Sequence, residues 1–223
     1  MRQLIAIVVL LAVVVFVSAS AQIVRGPLYQ IPPGVVKLVS PSYGPNDNCS
    51  AVAIARGLFL TSYHCLGPDL FIVDPADPSL IVPAEIIGSN SGYDLGALSA
   101  PLPVQPIGIG DPPNLVPGAM ESRVSIVGYA DNLPMPSIFR GTILSLRDET
   151  YFQQDGIYFD VFGVTALPGM LGGAVLDSDG RLISIIVDIP DQTVTLGSLY
   201  EGLRSALARF GGPTSRGESG GVR

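Results

Sequence analysis

Charge is scarce in this chain and histidine scarcer. Of 223 residues 14% are charged, and 12 Lys and Arg against 19 Asp and Glu leave a formal net charge of −7. No long run of Lys or Arg appears. An acidic chain repels phosphate backbones, so nucleic acid is not an expected partner. The one histidine, His64, cannot build a multi-histidine metal site, and neither a metal nor a cofactor is expected. The two cysteines, Cys49 and Cys65, leave two readings open: an oxidised pair in an exported protein, or two buried thiols in a reducing compartment. No internal repeat is visible, and one or two compact domains fit the length. What is abundant is Gly, with 26, and Pro, with 20. In a chain rich in Val, Ile and Leu, that mixture favours many short strands joined by tight turns.

The amino terminus stands apart. Arg2 precedes an unbroken apolar run from Leu4 to Val17, and Ala19-Ser20-Ala21 has the small residues that signal peptidase cuts. Residues 1–21 are therefore expected to be a secretory signal peptide removed after about Ala21, which places the mature protein outside the cytoplasm, secreted or periplasmic. The run is shorter than the ~20 apolar residues of a bilayer crossing. The alternative is a retained anchor, and only then is a membrane a partner.

Strand-like runs follow at Val35–Ser40, Ser50–Ala55, Leu58–Thr61, Leu70–Val73, Leu80–Ile87 and Asp94–Leu98, punctuated by Gly, Pro, Asn and Asp. Residues 100–117 hold prolines at 101, 103, 106, 112, 113 and 117. Such a stretch cannot be a regular helix or a central strand, and it reads as a link crossing the surface between two halves. Strands resume at Ser122–Gly128, Gly141–Leu146, Gly156–Phe162, Ala174–Leu176 and Leu182–Val187. Leu199, Leu203, Leu207 and Phe210 then fall at helical spacing, so a helix is expected over Leu196–Phe210, stopped by Gly211-Gly212-Pro213. The expected order is a strand-rich half over 22–103, a Pro-rich link over 104–118, a second strand-rich half with a terminal helix over 119–211, and a disordered tail over 212–223. Pattern alone assigns an all-β sandwich or barrel.

Three motifs carry chemistry. The stretch from Cys49 to Cys65 runs strand, turn, strand into Thr61-Ser62-Tyr63-His64-Cys65. Thirty residues on lies Gly92-Tyr93-Asp94-Leu95-Gly96-Ala97-Leu98. Third is Leu167-Pro168-Gly169-Met170-Leu171-Gly172-Gly173-Ala174, followed by Gly180-Arg181-Leu182-Ile183-Ser184-Ile185-Ile186. In that order they resemble the histidine, aspartate and nucleophile motifs of the trypsin/chymotrypsin-like serine proteases, with spacing that suits compact bacterial members. The resemblance spans roughly residues 35–210. It implies two six-stranded antiparallel β-barrels and a Cys49–Cys65 disulfide beside the histidine. It also implies His64 as general base and Asp94 as its orienter, with the Gly169 and Leu171 amides as oxyanion donors and Thr165 as floor of the specificity pocket. The chemistry is proton transfer from a serine hydroxyl to an imidazole held by a buried carboxylate, while two N–H groups stabilise the oxyanion.

The departure is Leu171, which stands where the family's motif has serine. An isobutyl group has neither a proton to give nor a lone pair to attack with, so covalent catalysis there is excluded. Its bulk is also expected to crowd the imidazole and turn it away. Ala174 replaces a customary proline. Met170 replaces an aspartate that pairs with a new amino terminus in animal enzymes, so the likeness of Ile23-Val24-Arg25-Gly26 to such a terminus reads as accidental. Ser62, Thr165 and Ser184 lie near the motifs, but none sits on the tight turn that presents a nucleophile. With Thr165 in the pocket, basic side chains are not an expected preference. Three readings follow: a pseudoprotease that holds a polypeptide in a substrate-like groove, an active endopeptidase family whose serine is altered in this copy, or a structural protein on the same fold. The sequence leaves the oligomeric state open.

Overall fold

The structure is a computed structural model that describes residues 32–44, 47–110, 122–148, 157–162, 166–188, 194–197 and 208–209. Among these described residues, twelve strands make two closed antiparallel barrels. The first contains β1 (Val35–Val39), β2 (Cys49–Ala55), β3 (Leu58–Ser62), β4 (Leu70–Val73), β5 (Ile81–Asn90) and β6 (Leu95–Ser99) in the spatial order β1-β2-β3-β6-β5-β4. The second contains β7 (Ser122–Gly128), β8 (Ser137–Asp148), β9 (Ile157–Phe162), β10 (Ala174–Leu176), β11 (Leu182–Asp188) and β12 (Val194–Gly197) in the order β10-β11-β12-β9-β8-β7. The expected all-β architecture of two six-stranded barrels is what is found.

Strands β2 and β3 explain why the chain is so apolar with so few charges. Both are buried almost end to end, because each has two faces to bury. Ala51, Ala53 and Phe59 point into the first barrel with Val36, Leu38 and Leu98. Their neighbours Val52, Ile54, Leu58 and Leu60 point the other way, into a core shared with Val127, Tyr129, Ala174 and Ile185 of the second barrel. The period-two alternation of a strand thus feeds a barrel interior and an inter-barrel seam at once. The turn between the two strands is closed by Gly57 at φ +72, a left-handed position that suits glycine.

Two expectations are refined. The described part of the link lies at the surface on one face, with Pro101, Pro103, Gln105, Pro106 and Gly108 exposed, and buries Leu102, Val104 and Ile107 on the other. Ile107 belongs to the shared core, and its N–H donates to the Ala53 carbonyl at 2.9 Å. Ile109 forms a bridge with Leu182 of the second barrel. The prolines alternate with apolar side chains here, so an extended segment that gives up some N–H groups still buries its other face, Leu102 and Val104 in the first barrel's core and Ile107 in the seam. The part of the link past Gly110 up to residue 118 lies outside the described residues.

The expected helix over Leu196–Phe210 is corrected at its start. Leu196 and Gly197 belong to β12, opposite Asp188 and Ile186 of β11 and opposite Asp160 and Phe159 of β9. A sixth strand is needed between β11 and β9 to close the second barrel, and that pairing overrides the helical spacing of the local sequence. Residues 208–209 are helical, and the rest of that span lies outside the described residues. So do the expected signal peptide, residues 22–31 and the tail.

Candidate active site

Strand pairing brings the histidine and aspartate motifs together. β3 and β6 run antiparallel with Ser62 opposite Leu95, so the turns beyond these residues lie side by side. A short 3-10 turn over Tyr63–Cys65 carries His64 and is capped by Ser62. Another over Ser91–Tyr93 ends on Asp94, held at φ 49 in the left-handed region, which aspartate tolerates better than most residues. The Tyr63 N–H donates to the Asp94 carbonyl at 3.0 Å and binds the two turns.

Asp94 is 1% exposed and His64 is 52% exposed. The Asp94 carboxylate accepts from His64 Nδ1 at 2.9 Å, from the His64 N–H at 3.3 Å and from Ser62 Oγ at 3.0 Å. Burial raises the carboxyl pKa above its ordinary 3.8, while the bonds from His64 and Ser62 pull it back. A carboxylate at Nδ1 fixes which ring nitrogen carries the proton and stabilises the ring when it is charged. The ring is therefore not turned away, contrary to the crowding expected from Leu171. Leu171 is partly buried and packs on the cores of both barrels, so its bulk is taken up by the seam.

Cys49 and Cys65 form a disulfide with Cα atoms 6.0 Å apart, joining the start of β2 to the residue after His64. The Tyr43 hydroxyl donates to the Cys65 carbonyl; its pKa is pushed up to about 12 by burial.

The turn from Leu167 to Gly173 comes from the second barrel and lies against the first. Gly169 and Gly172 adopt φ +89 and +80. A Cβ on Gly172 would collide with the Ser50 carbonyl oxygen and Thr61 Oγ1, so only glycine allows this close approach. The Ser50 N–H donates to the Leu171 carbonyl at 2.7 Å. The Cys65 Sγ lies 3.7 Å from that carbonyl, a contact without a proton because the sulfur is oxidised. Leu171 is thus set beside the histidine turn. The N–H groups of Gly169 and Leu171 donate to no acceptor among the described residues.

A polar clamp holding this turn was not read from the sequence. Ser50 Oγ donates to the Gly169 carbonyl at 3.0 Å and accepts from the Tyr129 N–H at 2.8 Å. Asn48 Nδ2 donates to the Tyr129 and Gly169 carbonyls at 2.8 and 3.2 Å. Asp131 accepts from the Asn48 N–H at 3.1 Å, and its own N–H donates to the Pro168 carbonyl at 2.8 Å. Each partner is remote in sequence, and a lone Asn, Ser or Asp carries no pattern. Of the serines weighed as substitute nucleophiles, Ser62 is buried and spends its hydroxyl on Asp94, and Ser184 is buried on β11. Thr165 lies outside the described residues.

The sequence profile of the trypsin-like peptidase domain matches residues 49–185. Among curated proteins, none matches the chain. Among solved structures, a serine-to-alanine mutant of Rv3671c from M. tuberculosis, in an inactive form, aligns with TM-score 0.63 and 15% identity over 86% of this chain and 90% of its own. The Rv3671c protease in an inactive form aligns with TM-score 0.63 and 16% identity over 81% and 90%. The serine endoprotease from Yersinia pestis aligns with TM-score 0.65 and 18% identity, over 80% of this chain and 63% of its own. At these identities the likeness is one of fold.

Proposed function

We infer that this chain, which belongs to the trypsin-like peptidase domain family, is an exported and catalytically inactive member that holds a polypeptide in a substrate-like groove. The observation that carries the reading is Leu171, on the tight turn beside a His64–Asp94 pair bonded at 2.9 Å. In the mechanism of such a site, His64 accepts the proton of a hydroxyl on this turn, Asp94 stabilises the resulting imidazolium, and the turn's N–H groups receive the oxyanion. With a hydrocarbon at Leu171 the first step has no proton to move and the second no nucleophile. The disulfide supports an oxidising compartment outside the cytoplasm.

The intact base favours a second reading, an endopeptidase lineage whose serine is altered in this copy. Leu171→Ser with a fluorophosphonate probe and casein tests both. The parent chain is expected to give neither labelling nor cleavage. The serine variant is expected to be labelled and to cleave. Cleavage by the parent that His64→Ala abolishes overturns the inactive reading. A folded serine variant inert to both reagents removes the lineage reading.

A further inference from the structure

Strand alternation on β1 turns Val36 and Leu38 into the first barrel and leaves Lys37 and Val39 half-buried on its outer face. Register sets Lys37 beside Val73 of β4, and Val73 beside Ile81 of β5. The outer face of an antiparallel sheet is ordinarily polar and wet. Here Val39, Val73 and Ile81 are apolar, and with Tyr129 and Pro134 of the second barrel they line a cavity of about 240 Å³. It adjoins a wider groove, with which it shares Lys37, Val39, Ile81 and Pro134. None of its walls belongs to the His64–Asp94 pair or to the turn that carries Leu171.

Three polar side chains also line this cavity: Lys37, Asp74 and Tyr129. Lys37 is the sole lysine of the chain, and it joins no ion pair among the described residues. One carboxylate oxygen of Asp74 accepts from the Ala76 N–H at 2.8 Å, which holds the group in the turn after β4 and leaves its other oxygen open. Tyr129 is 4% exposed, yet its hydroxyl has no hydrogen-bond partner among the described residues, and a buried polar group left so is costly. Burial, and after it the charge of Asp74, raises the Tyr129 pKa above its ordinary 10, so the hydroxyl is a donor at neutral pH. Opposite charges thus line one small cavity without meeting. A simple anion suits Lys37 and is repelled by Asp74; a simple cation meets the reverse. A molecule with both charges on an apolar body suits both, and Tyr129 adds a second donor for its negative end. A volume below the ~300–1,000 Å³ of drug-sized sites keeps that molecule small. We propose that this cavity binds a free apolar α-amino acid, its carboxylate held by Lys37 and Tyr129, its ammonium by Asp74 and its side chain by Val39, Val73 and Ile81.

The test titrates leucine, valine, methionine and phenylalanine into the folded full chain by isothermal calorimetry, each as the free amino acid, as its N-acetyl derivative and as its amide. At least one free amino acid is expected to bind at millimolar concentration or below. Loss of either charge, by acetylation or amidation, is expected to weaken it about tenfold, equivalent to about 1.4 kcal/mol. Tyr129→Phe and Lys37→Met each remove a donor and keep the apolar bulk; both are expected to fold, since neither group has a partner to lose, and to bind the free amino acid about tenfold more weakly. Blocked forms that bind as tightly as the free amino acid would overturn the proposal and leave only an apolar cavity. Binding that neither variant changes would place the ligand elsewhere and overturn it as well, as would no binding of any of the four at millimolar concentration.

Discussion

The first barrel supplies His64 and Asp94; the second supplies the turn that carries Leu171. On the first side a buried carboxylate takes three donors from two residues, and a disulfide anchors the neighbouring backbone. On the second side the turn is held as firmly, by Ser50, Asn48 and Asp131, yet it presents a hydrocarbon. Positioning and chemistry are therefore separable in this fold. The bonds that place the turn run through backbone carbonyls and the glycines, and none needs a particular side chain at residue 171. A change there leaves the scaffold of the site standing.

The sharpest way to break this comparison is to give the second side its hydroxyl and then weaken the first. In a Leu171→Ser background, Asp94→Asn is expected to lower kcat on the order of 10⁴-fold, because an amide can leave the imidazole in the wrong tautomer. Steady-state cleavage of a peptide ester measures it, and a loss under tenfold would mean that Asp94 does not orient His64 in the working site.

Next in size is the covalent staple, which only the first barrel has among the described residues. The sequence separation is 16, and in the chain-entropy picture a loop of that size contributes ~3 kcal/mol. Replacing both cysteines by alanine should lower Tm by roughly 6–12 °C for a protein of this size. Thiol labelling of the denatured, unreduced parent should find no reactive cysteine. Two labelled thiols would sink the disulfide and, with it, the main support for an oxidising compartment.

Smaller again is the clamp between the two sides. Ser50 is fully buried and joins Tyr129 to Gly169. Ser50→Ala leaves the Tyr129 N–H without that acceptor, a cost of about 1–3 kcal/mol. In the serine background it should also loosen the Gly169–Leu171 turn and lower kcat more than it raises KM. A stability loss with unchanged kcat would show that Ser50 holds the barrels together without setting the turn.

The strands were legible because β2, β3, β6 and β7 have strong apolar runs bounded by Gly or Pro, and His64, Asp94 and Leu171 because they sit in ordered motifs. The disulfide was legible from its place beside His64. β12 was not, since four residues opening a helically spaced stretch declare their strand only by pairing with β9 and β11. The inward face of the link was not legible for a related reason: its prolines announce irregular backbone, while the burial of Ile107 depends on Gly34 and Ala53 arriving from elsewhere. The clamp of Asn48, Ser50 and Asp131 was invisible because its logic lies wholly in tertiary hydrogen bonds.

The smallest expected effect is a change of slope, and it asks whether the first side carries a thermodynamic cost for its readiness. Burial, the largest influence on Asp94, raises its folded pKa above 3.8. The native state then binds a proton at Asp94 more tightly than the unfolded chain does. The stability contributed by the protonated form is fully present below about pH 3.8 and is lost as pH rises through the raised folded value. At neutral pH the ionised carboxylate is, on balance, a burden that the bonds from Ser62 and His64 only partly offset. Asp94→Asn substitutes a neutral group of nearly the same shape, so its stability relative to the parent should improve as pH is raised from 3.5 to 7. Urea denaturation at pH 3.5, 5 and 7 reads this directly. If the variant instead falls further behind the parent toward neutral pH, the hydrogen bonds outweigh burial, and Asp94 is kept ionised at a net gain in stability rather than at a cost.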